Sequence, residues 1–407
     1  MKAEHKTRLL NDLQTAIEIE LSTIPIYLYT YYSINRQPDV SKIKNAKTAE
    51  ALKYYANKAG GLIMSVAVEE MLHMSLSSNV KRSLGGMPQT AGKSPAKYPT
   101  NLPGHKKGFE ANLAPLSLKQ LDTFLAIEKP DYNEKPTDKN WDTIGQFYSE
   151  IRRLIQKETK PEDFNYVEFQ LGPGKGYYAP NNIDTVYPGK DGKPEYPNSH
   201  DSGDLINVDG KEKALQAIAI VCDQGEGFGT PATTKYDDKQ KNEETHYYKY
   251  QLLHKELKAI LASDKTALSV LTYPFPTNPT TASYPAELQP LSNLLNAVYT
   301  YLFMMTDACY RYSDPVQSEI FNAGMHKAMI FILDKLCGFV RGIGLGNGQV
   351  MAPTFENYVF NNSVSAKQQI IDLWETVPPK YQPGLQILER IQMLPDVDVA
   401  PGEHIRI

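Results

Sequence analysis

The 407-residue sequence predicts a mainly α-helical protein, built around a four-helix bundle with a long irregular insertion and extra C-terminal helices. Two observations predict this fold class. Apolar residues recur at spacings of three and four through several long segments, as they do along an amphipathic helix. No part of the chain alternates strands with helices, so the glycine-rich stretches GPGKG and GIGLGNG are interpreted as turns rather than as nucleotide-binding loops.

Four long helices form the predicted bundle, over residues 6–35, 46–84, 211–226 and 241–262. In the first, Pro25 predicts a kink or the end of the first helical segment, because proline lacks the N–H that an interior turn needs. In the second, Gly60 and Gly61 predict a broken or flexible region, and the sequence LGGMP marks the end of the helix.

Shorter elements fill the rest of the chain. Helices are predicted over residues 116–130, 143–158, 287–312, 315–341, 365–375 and 381–393. Residues 159–210 are rich in Gly, Pro, Asn, Asp and Tyr, which predicts irregular structure or short strands. We therefore expect a bundle domain over residues 1–262, with an insertion at 85–210, and a helical extension over 263–407 that packs on the bundle.

Composition excludes several classes of function. The net charge of −4 and the scattered Lys and Arg residues argue against nucleic-acid and membrane partners. The three cysteines are far apart and form no CxxC pair, so buried free thiols are expected rather than a zinc site or disulfides: Cys222, Cys309 and Cys337. No signal peptide and no stretch of about 20 apolar residues is found, and we expect a cytoplasmic protein.

An unusual pair of polar residues lies in the segment SVAVEEMLHMSL of the second helix. Glu70 and His73 are three residues apart, so their side chains project to nearly the same side, among apolar neighbours. Burying a carboxylate beside an imidazole costs several kcal/mol unless a hydrogen bond, a partner charge or a metal ion compensates. One such ExxH pattern is a weak signal, because it recurs by chance in many helices.

The same pattern recurs in the fourth long helix, where Glu243 and His246 occupy the sequence EETH. Single glutamates lie on the apolar faces of the other two helices, Glu20 in the first and Glu226 at the end of the third. The order Glu, ExxH, Glu, ExxH is the ligand set of carboxylate-bridged di-iron and di-manganese bundles. Four carboxylates also offset the charge of two divalent cations.

The donor types favour two Fe ions, with Mn as the alternative, because carboxylate and imidazole suit hard and borderline metals. Glu69 and Glu244 each adjoin a candidate ligand and remain alternatives to it. Glu70 and Glu243 are preferred, since only they lie three residues before a histidine. No further catalytic residue is identified.

Other polar and aromatic residues have structural interpretations. Glu18 lies off the apolar face and is expected in solvent. His254 is expected in the core or beside the ligands, and His326 in the core. Four tyrosines are interpreted mainly as packing residues, with pocket lining or electron transfer as the alternative: Tyr27, Tyr31, Tyr247 and Tyr250.

Several segments resemble the signature segments of a ferritin-like family named after the iminophenyl-pyruvate dimer synthases of bisindole biosynthesis. They are LQTAIEIELSTIPIYLYTYYSI, EEMLHMSLSSNVKRSLGG, IVCDQGEGFGTP and EETHYYKYQLL, with TFLAIEKP and TIGQFYSEI between them. The resemblance covers roughly residues 7–260. It implies a ferritin-like four-helix bundle and a non-haem metal centre whose ligands are Glu20, Glu70, His73, Glu226, Glu243 and His246.

The metal set leads to three hypotheses of function. The first is an oxidoreductase that uses O₂ or peroxide on a small organic substrate, aromatic or amino-acid-derived by resemblance. The second is iron handling, as ferroxidase or storage protein. The third is an interaction module on a relict bundle whose carboxylates pair with Lys or Arg. The sequence does not fix the oligomeric state, and a homo-oligomer is compatible with it.

Overall fold

Helix dominates the structure, a computed structural model that describes residues 1–106, 108–130, 140–173, 175, 205–225 and 245–397 and the backbone of 405–406. The described part of the chain divides into two compact units. The first holds residues 1–87, 99–167 and 171–274, and the second holds 88–98, 168–170 and 275–407. Among the described residues, no helix is both long and apolar enough to cross a membrane.

The first unit is built around one central helix. Its helices are α1 (Ala3–Ser33), α2 (Ala46–Ser83), α3 (Leu118–Ile127), α4 (Ile144–Glu158), α5 (Lys211–Gln224), α6 (His246–Ser263) and α7 (Ala267–Leu271). The central helix, α2, packs along α1 and also contacts α5 and α6, while α3 packs on α6 and α4 on α1 and α5. Short 3₁₀ turns lie at Val40–Lys42 and Pro161–Asp163, and a third, Val167–Phe169, includes residues of both units.

The first long helix continues past its proline. Pro25 lies inside α1, which has no break between Ala3 and Ser33. The structure therefore excludes an end of the helix at Pro25. Residues on both sides of Pro25 are buried, and packing of an apolar helix supplies more stability than one lost backbone hydrogen bond removes.

The second long helix is also unbroken, and the predicted break at Gly60 and Gly61 is wrong. Both glycines are buried inside α2. A Cβ atom on Gly60 would lie 3.1 Å from Cδ and Nε of Arg36. The glycine thus allows the Arg36 side chain to pass close to the helix, and tertiary packing overrides its low helix propensity.

Capping residues set where two helices of the first unit begin. The Asn45 side chain accepts hydrogen bonds from the N–H groups of Lys47 and Thr48 at the start of α2. The Thr245 side chain caps α6 by accepting from Tyr248 N, so His246 is the first residue of that helix. The structure therefore places His246 at a helix N-terminus, where the sequence predicts a helix that begins at residue 241.

The segment 159–210, predicted to be irregular or to form short strands, lies partly outside the described residues. Where it is described, at 159–173, 175 and 205–210, it forms 3₁₀ turns and irregular chain, as the composition predicts. Asn79 of α2 links two described parts of this segment. Its side-chain amide donates to Leu171 O and Ile206 O, and its Oδ1 accepts from Leu171 N.

The second unit has its own apolar core. Its helices are α8 (Gln289–Cys309), α9 (Val316–Glu319, π-helical Ile320–His326 and Ala328–Leu333, then Asp334–Val340), α10 (Ala366–Thr376) and α11 (Leu385–Gln392). Thr281–Ser283 and Pro379–Tyr381 form 3₁₀ turns, and β1 (Asp396–Val397) pairs antiparallel with β2 (Ile405–Arg406). α8 packs on α9 and α10.

All three cysteines of the chain are buried and free, which confirms the prediction of buried free thiols.

Candidate metal centre

Five buried carboxylate and imidazole side chains meet in the first unit. Their positions are Glu20 on α1, Glu70 and His73 on α2, Glu128 directly after α3, and His246 at the start of α6. They form two groups of three, in each of which the candidate ligand atoms lie within 4.8 Å of one another: Glu20, Glu70, His73, and Glu70, Glu128, His246. Glu70 belongs to both groups, so the two groups share one carboxylate.

Glu70 lies between the two imidazoles. Its Oε1 atom is 3.2 Å from Nδ1 of His246 and 3.5 Å from Nδ1 of His73. Its Oε2 atom accepts a hydrogen bond of 2.6 Å from the Thr23 hydroxyl on α1. One carboxylate oxygen is thus fixed by Thr23, and the other faces the same ring atom of both histidines.

His246 carries a buried polar atom that has no hydrogen-bond partner among the described residues. That atom is Nδ1, with Glu70 Oε1 at 3.2 Å and Glu128 Oε2 at 3.4 Å in a geometry that is not that of a hydrogen bond. Ligand atoms about 2 Å from one ion, at roughly right angles, lie about 3 Å apart. The three atoms are therefore spaced as donors to a common cation, and the residues present fit a metal ion.

The opposite ring nitrogen of His246 is held by Glu69. His246 Nε2 lies 2.7 Å from Glu69 Oε2, and Lys249 Nζ donates to both oxygens of the same carboxylate at 2.7 and 2.9 Å. Ser65 adds a fourth contact, its hydroxyl donating at 2.6 Å. A carboxylate that accepts the outer N–H of a histidine fixes its tautomer and leaves Nδ1 unprotonated toward the metal side.

His73 is oriented in the same way by a different partner. Its Nε2 atom is 2.9 Å from Oε1 of Gln224, the last residue of α5. Its ring stacks on that of His246, with centroids 5.4 Å apart. Both histidines therefore present Nδ1 to Glu70, while Nε2 is bound to a side chain behind them.

Two tyrosines each hold one outer carboxylate. The Tyr148 hydroxyl donates to Glu20 Oε1 at 2.7 Å, and the Tyr27 hydroxyl donates to Glu128 Oε1. Burial raises the pKa of both tyrosines well above its usual value, and the neighbouring carboxylates add to the rise. The tyrosines are thus neutral donors, which leaves the charge of Glu20 and Glu128 uncompensated by them.

The electrostatics favour positive charge at this position. Burial by itself raises the pKa of Glu70, but His246 and His73 lower it well below its usual range. Burial lowers the pKa of His246, yet the carboxylates of Glu128, Glu69 and Glu70 together raise it well above its usual value. For Glu128, burial raises the pKa and His246 opposes the rise. A bound metal cation would compensate the same excess of negative charge that otherwise raises the pKa of His246.

The structure brings together four of the residues that the sequence predicts as ligands: Glu20, Glu70, His73 and His246. Glu226 and Glu243, and the alternative Glu244, lie outside the described residues. Glu69 is turned toward Lys249 and the outer side of His246, and the two metal-type groups contain Glu70 instead.

Glu128 is the residue that sequence reasoning missed. A signal for it exists in the segment TFLAIEKP, because Leu121, Phe124 and Glu128 follow one another at spacings of three and four. Leu121 and Phe124 are fully buried, and the same helix face carries Glu128 into the interior. Helix α3 is short, whereas the ligand pattern predicted from the sequence lies on the four long helices.

His254, Tyr27 and Tyr250 lie in surroundings that differ from one another. His254 is not in the core, since its side chain is 24% exposed and its Nε2 atom lies 3.1 Å from Asp122 Oδ1. Tyr27 and Tyr250 are buried and pack around Phe124, with ring centroids 4.8 to 5.5 Å apart. This aromatic cluster lies beside the centre, because Tyr27 also donates to Glu128.

Comparison with known proteins gives one family and two curated relatives. The family model described as ferritin-like matches residues 13–255. The 2-imino-3-(indol-3-yl)propanoate dimerase of Chromobacterium violaceum is 25% identical over 287 residues, which are 67% of this chain and 26% of that protein. The dichlorochromopyrrolate synthase of Lentzea aerocolonigenes is 25% identical over 312 residues, 68% of this chain and 27% of that protein. The match spans about a quarter of each relative.

Among solved structures, a ferritin-like protein from Caulobacter vibrioides aligns with 87% of this chain and 99% of its own. The TM-score is 0.49 and the sequence identity 18%.

Proposed function

Because this chain belongs to the ferritin-like family, we propose that it is a non-haem di-metal oxidoreductase. It would hold two Fe ions, or two Mn ions, and oxidise a small organic substrate with O₂ or peroxide. The family match and the helical structure confirm the predicted ferritin-like fold class, and the family match confirms the resemblance to a ferritin-like family.

One observation supports the metal centre above the others. The Nδ1 atom of His246 is fully buried and has two carboxylate oxygens at 3.2 and 3.4 Å without a hydrogen bond to either. Buried polar atoms in folded proteins are almost always hydrogen-bonded, and an exception calls for an ion or a reactive role. Glu70, shared by both groups, suits a carboxylate that binds two ions.

Each residue has a proposed role. Glu70 would bind both ions, Glu20 with His73 one of them, and Glu128 with His246 the other. Glu226 and Glu243 are proposed as further ligands from the sequence pattern alone. Bound Fe or Mn would supply the electron transfer between the oxidant and the substrate.

Neighbouring side chains would prepare these ligands. Tyr148 and Tyr27 stay protonated and donate hydrogen bonds to the Oε1 atoms of Glu20 and Glu128, which would hold both carboxylates in place for metal binding. Thr23 orients Glu70 from the other side. Because all of these side chains are buried, they exclude bulk water from the centre.

An aromatic, amino-acid-derived compound is the proposed substrate class. Both curated relatives are enzymes by name, and the dimerase is named for an indolyl imino acid. The rings of Tyr27, Phe124 and Tyr250 beside Glu128 are buried against one another, so the names of the two relatives carry this proposal. Since the match spans about a quarter of each relative, their complete reactions are not transferred to this chain.

Oxygen consumption tests this proposal. The full chain, loaded with ferrous iron and freed of excess metal, is offered tryptophan, its 2-imino and 2-oxo acids and aliphatic counterparts, with an oxygen electrode and product analysis as readouts. The proposal expects substrate-dependent O₂ uptake that Glu70→Gln abolishes and that His254→Ala, at the partly exposed His254, retains. Uptake equal to that of free iron with every compound, on a chain that holds metal, would contradict it. Hundreds of iron atoms stored per assembly would favour iron handling.

A further inference from the structure

The two histidines of the centre have unlike partners behind them. His246 Nε2 is bound to the carboxylate of Glu69, and His73 Nε2 is bound to the neutral amide oxygen of Gln224. The rest of the arrangement is closely matched, because each half has one outer glutamate that accepts from a buried tyrosine and both share Glu70. Among the described residues, the difference between the halves therefore lies mainly behind the imidazoles.

Glu69 is fixed on several sides. It is fully buried and accepts from Ser65 at 2.6 Å, from Lys249 at 2.7 and 2.9 Å and from His246 at 2.7 Å. Lys249 is itself buried and lies one helical turn after His246 on α6, while Ser65 lies one turn before Glu69 on α2. An ionised carboxylate with this many donors is rigid, and the ammonium group of Lys249 keeps it ionised in the interior.

Gln224 holds His73 less firmly on chemical grounds. Its amide oxygen carries no net charge, and a hydrogen bond to a neutral acceptor is about half as strong as one to a carboxylate. Gln224 is also the last residue of α5, where backbone hydrogen bonds of the helix end.

We propose that Glu69, clamped by Lys249 and Ser65, is a positioning residue that makes the Glu70–Glu128–His246 half the tighter of the two metal sites. The first ion then enters that half, and the Glu20–Glu70–His73 half fills second. The inference rests on the proposed function, since it concerns the same centre. It assigns a task to Glu69 and Lys249, which are the buried ion pair beside the ligands.

The physical reason is the coupling between the two ring nitrogens. An anion at Nε2–H increases the electron density at Nδ1 and fixes the ring, so a metal ion binds there more strongly and with less reorganisation. Loss of such an outer partner lowers metal affinity by about 10- to 100-fold. A neutral amide at the same position supplies orientation with less increase in basicity.

A Mn²⁺ titration of the metal-free full chain tests the inference, with the EPR signal of free Mn²⁺ as the readout. Wild type is expected to bind two ions in two resolved steps. Glu69→Gln is expected to weaken the first step by about 10- to 100-fold and leave the second within a few fold. Gln224→Glu, the matched gain of a carboxylate behind His73, is expected to tighten the second step. His73→Ala is expected to keep the tight step and His246→Ala to lose it.

Two equal steps in wild type, or a Glu69→Gln variant whose first step is unchanged, would overturn the inference and leave the di-metal proposal standing. A tight step that survives in His246→Ala would overturn it in the same way. A wild-type chain that binds no Mn²⁺ or Fe²⁺ would overturn both. Circular dichroism of each metal-free variant checks that it is folded.

A second measurement does not depend on any variant. Crystals of the wild-type chain with one equivalent of Mn²⁺ are expected to show anomalous density among Glu70, Glu128 and His246. Density among Glu20, Glu70 and His73 instead would overturn the inference.

Discussion

Glu69 and Glu70 are neighbours in the sequence with different surroundings. Successive helical residues point about 100° apart, so Glu70 faces the two imidazoles while Glu69 faces Lys249 on α6. The spacing of three residues to His73 predicts the inner position for Glu70, and the two ligand groups contain Glu70. That Glu69 binds the outer side of His246 could not be predicted, because it depends on how α6 lies against α2.

Asp12 is a half-buried carboxylate whose pKa follows from its surroundings. Burial raises its pKa to about 6; Arg8 opposes the rise, and Glu150 adds to it. Arg8 is shared between the two carboxylates, with its guanidinium 3.7 Å from Asp12 and 2.6 Å from Glu150. The folded state therefore binds a proton at Asp12 more tightly than the unfolded chain does.

The sign of the resulting pH dependence is fixed. Since the folded pKa of Asp12 lies above the unfolded value of 3.8, stability falls as the pH rises through the window between about 4 and 6. Asp12→Asn removes this loss, so the stability of the variant relative to wild type should increase by about 1 kcal/mol between pH 5 and pH 8. Urea unfolding at several pH values measures it, and a difference independent of pH would contradict the assignment.

Asp39 provides a control of opposite sign. Its carboxylate is exposed, and hydrogen bonds from the hydroxyl and N–H of Ser41 lower its pKa. Asp39→Asn should therefore lose stability relative to wild type as the pH rises from acid to neutral.

At the scale of elements, local signals in the sequence located helices better than they located helix breaks. Apolar spacing predicted α1 and α2, and both run on past the proline and glycines that suggested an interruption. Pro25 and Gly60 lie in buried helix faces, where packing outweighs propensity. The close approach of Arg36 to Gly60 is a tertiary contact, so no local pattern could reveal it.

Helix α9 offers a matched pair of glycines for testing packing. A Cβ atom on Gly324, in a π-helical segment, would lie 2.5 Å from Sδ and 3.0 Å from Cγ of the fully buried Met305. A Cβ atom on Gly338, in the α-helical end, would have no atom within 4 Å. The same substitution should therefore have opposite effects at the two positions.

Gly324→Ala is expected to destabilise the chain by about 1–3 kcal/mol through overpacking. Gly338→Ala is expected to stabilise it by roughly 0.5–1 kcal/mol through higher helix propensity. Thermal unfolding of both variants measures the difference. Equal effects, or a stabilising Gly324→Ala, would show that Met305 moves aside and that the close approach does not restrict this position.

At the scale of the whole molecule, the sequence predicted the fold class and four of the five side chains that meet in the described cluster. Glu20, Glu70 and His73 lie on α1 and α2, whose apolar faces define which way they point. Glu128 could not be ranked in the same way, since it follows a short helix whose position against α6 is set by tertiary packing. Local sequence patterns do not indicate how the chain divides into the two units, because residues 88–98 belong to the same unit as residues 275–407.

The proposed function requires this buried cluster to hold two metal ions. Elemental analysis of the purified full chain after reconstitution with ferrous iron tests it most directly, on wild type, on His73→Ala with His246→Ala, and on His254→Ala as a control that keeps the cluster. We expect about two Fe per chain in wild type and in the control, as the ligand set implies, and loss of both in the double variant. A folded wild-type chain without metal, or a double variant that retains both ions, would contradict it.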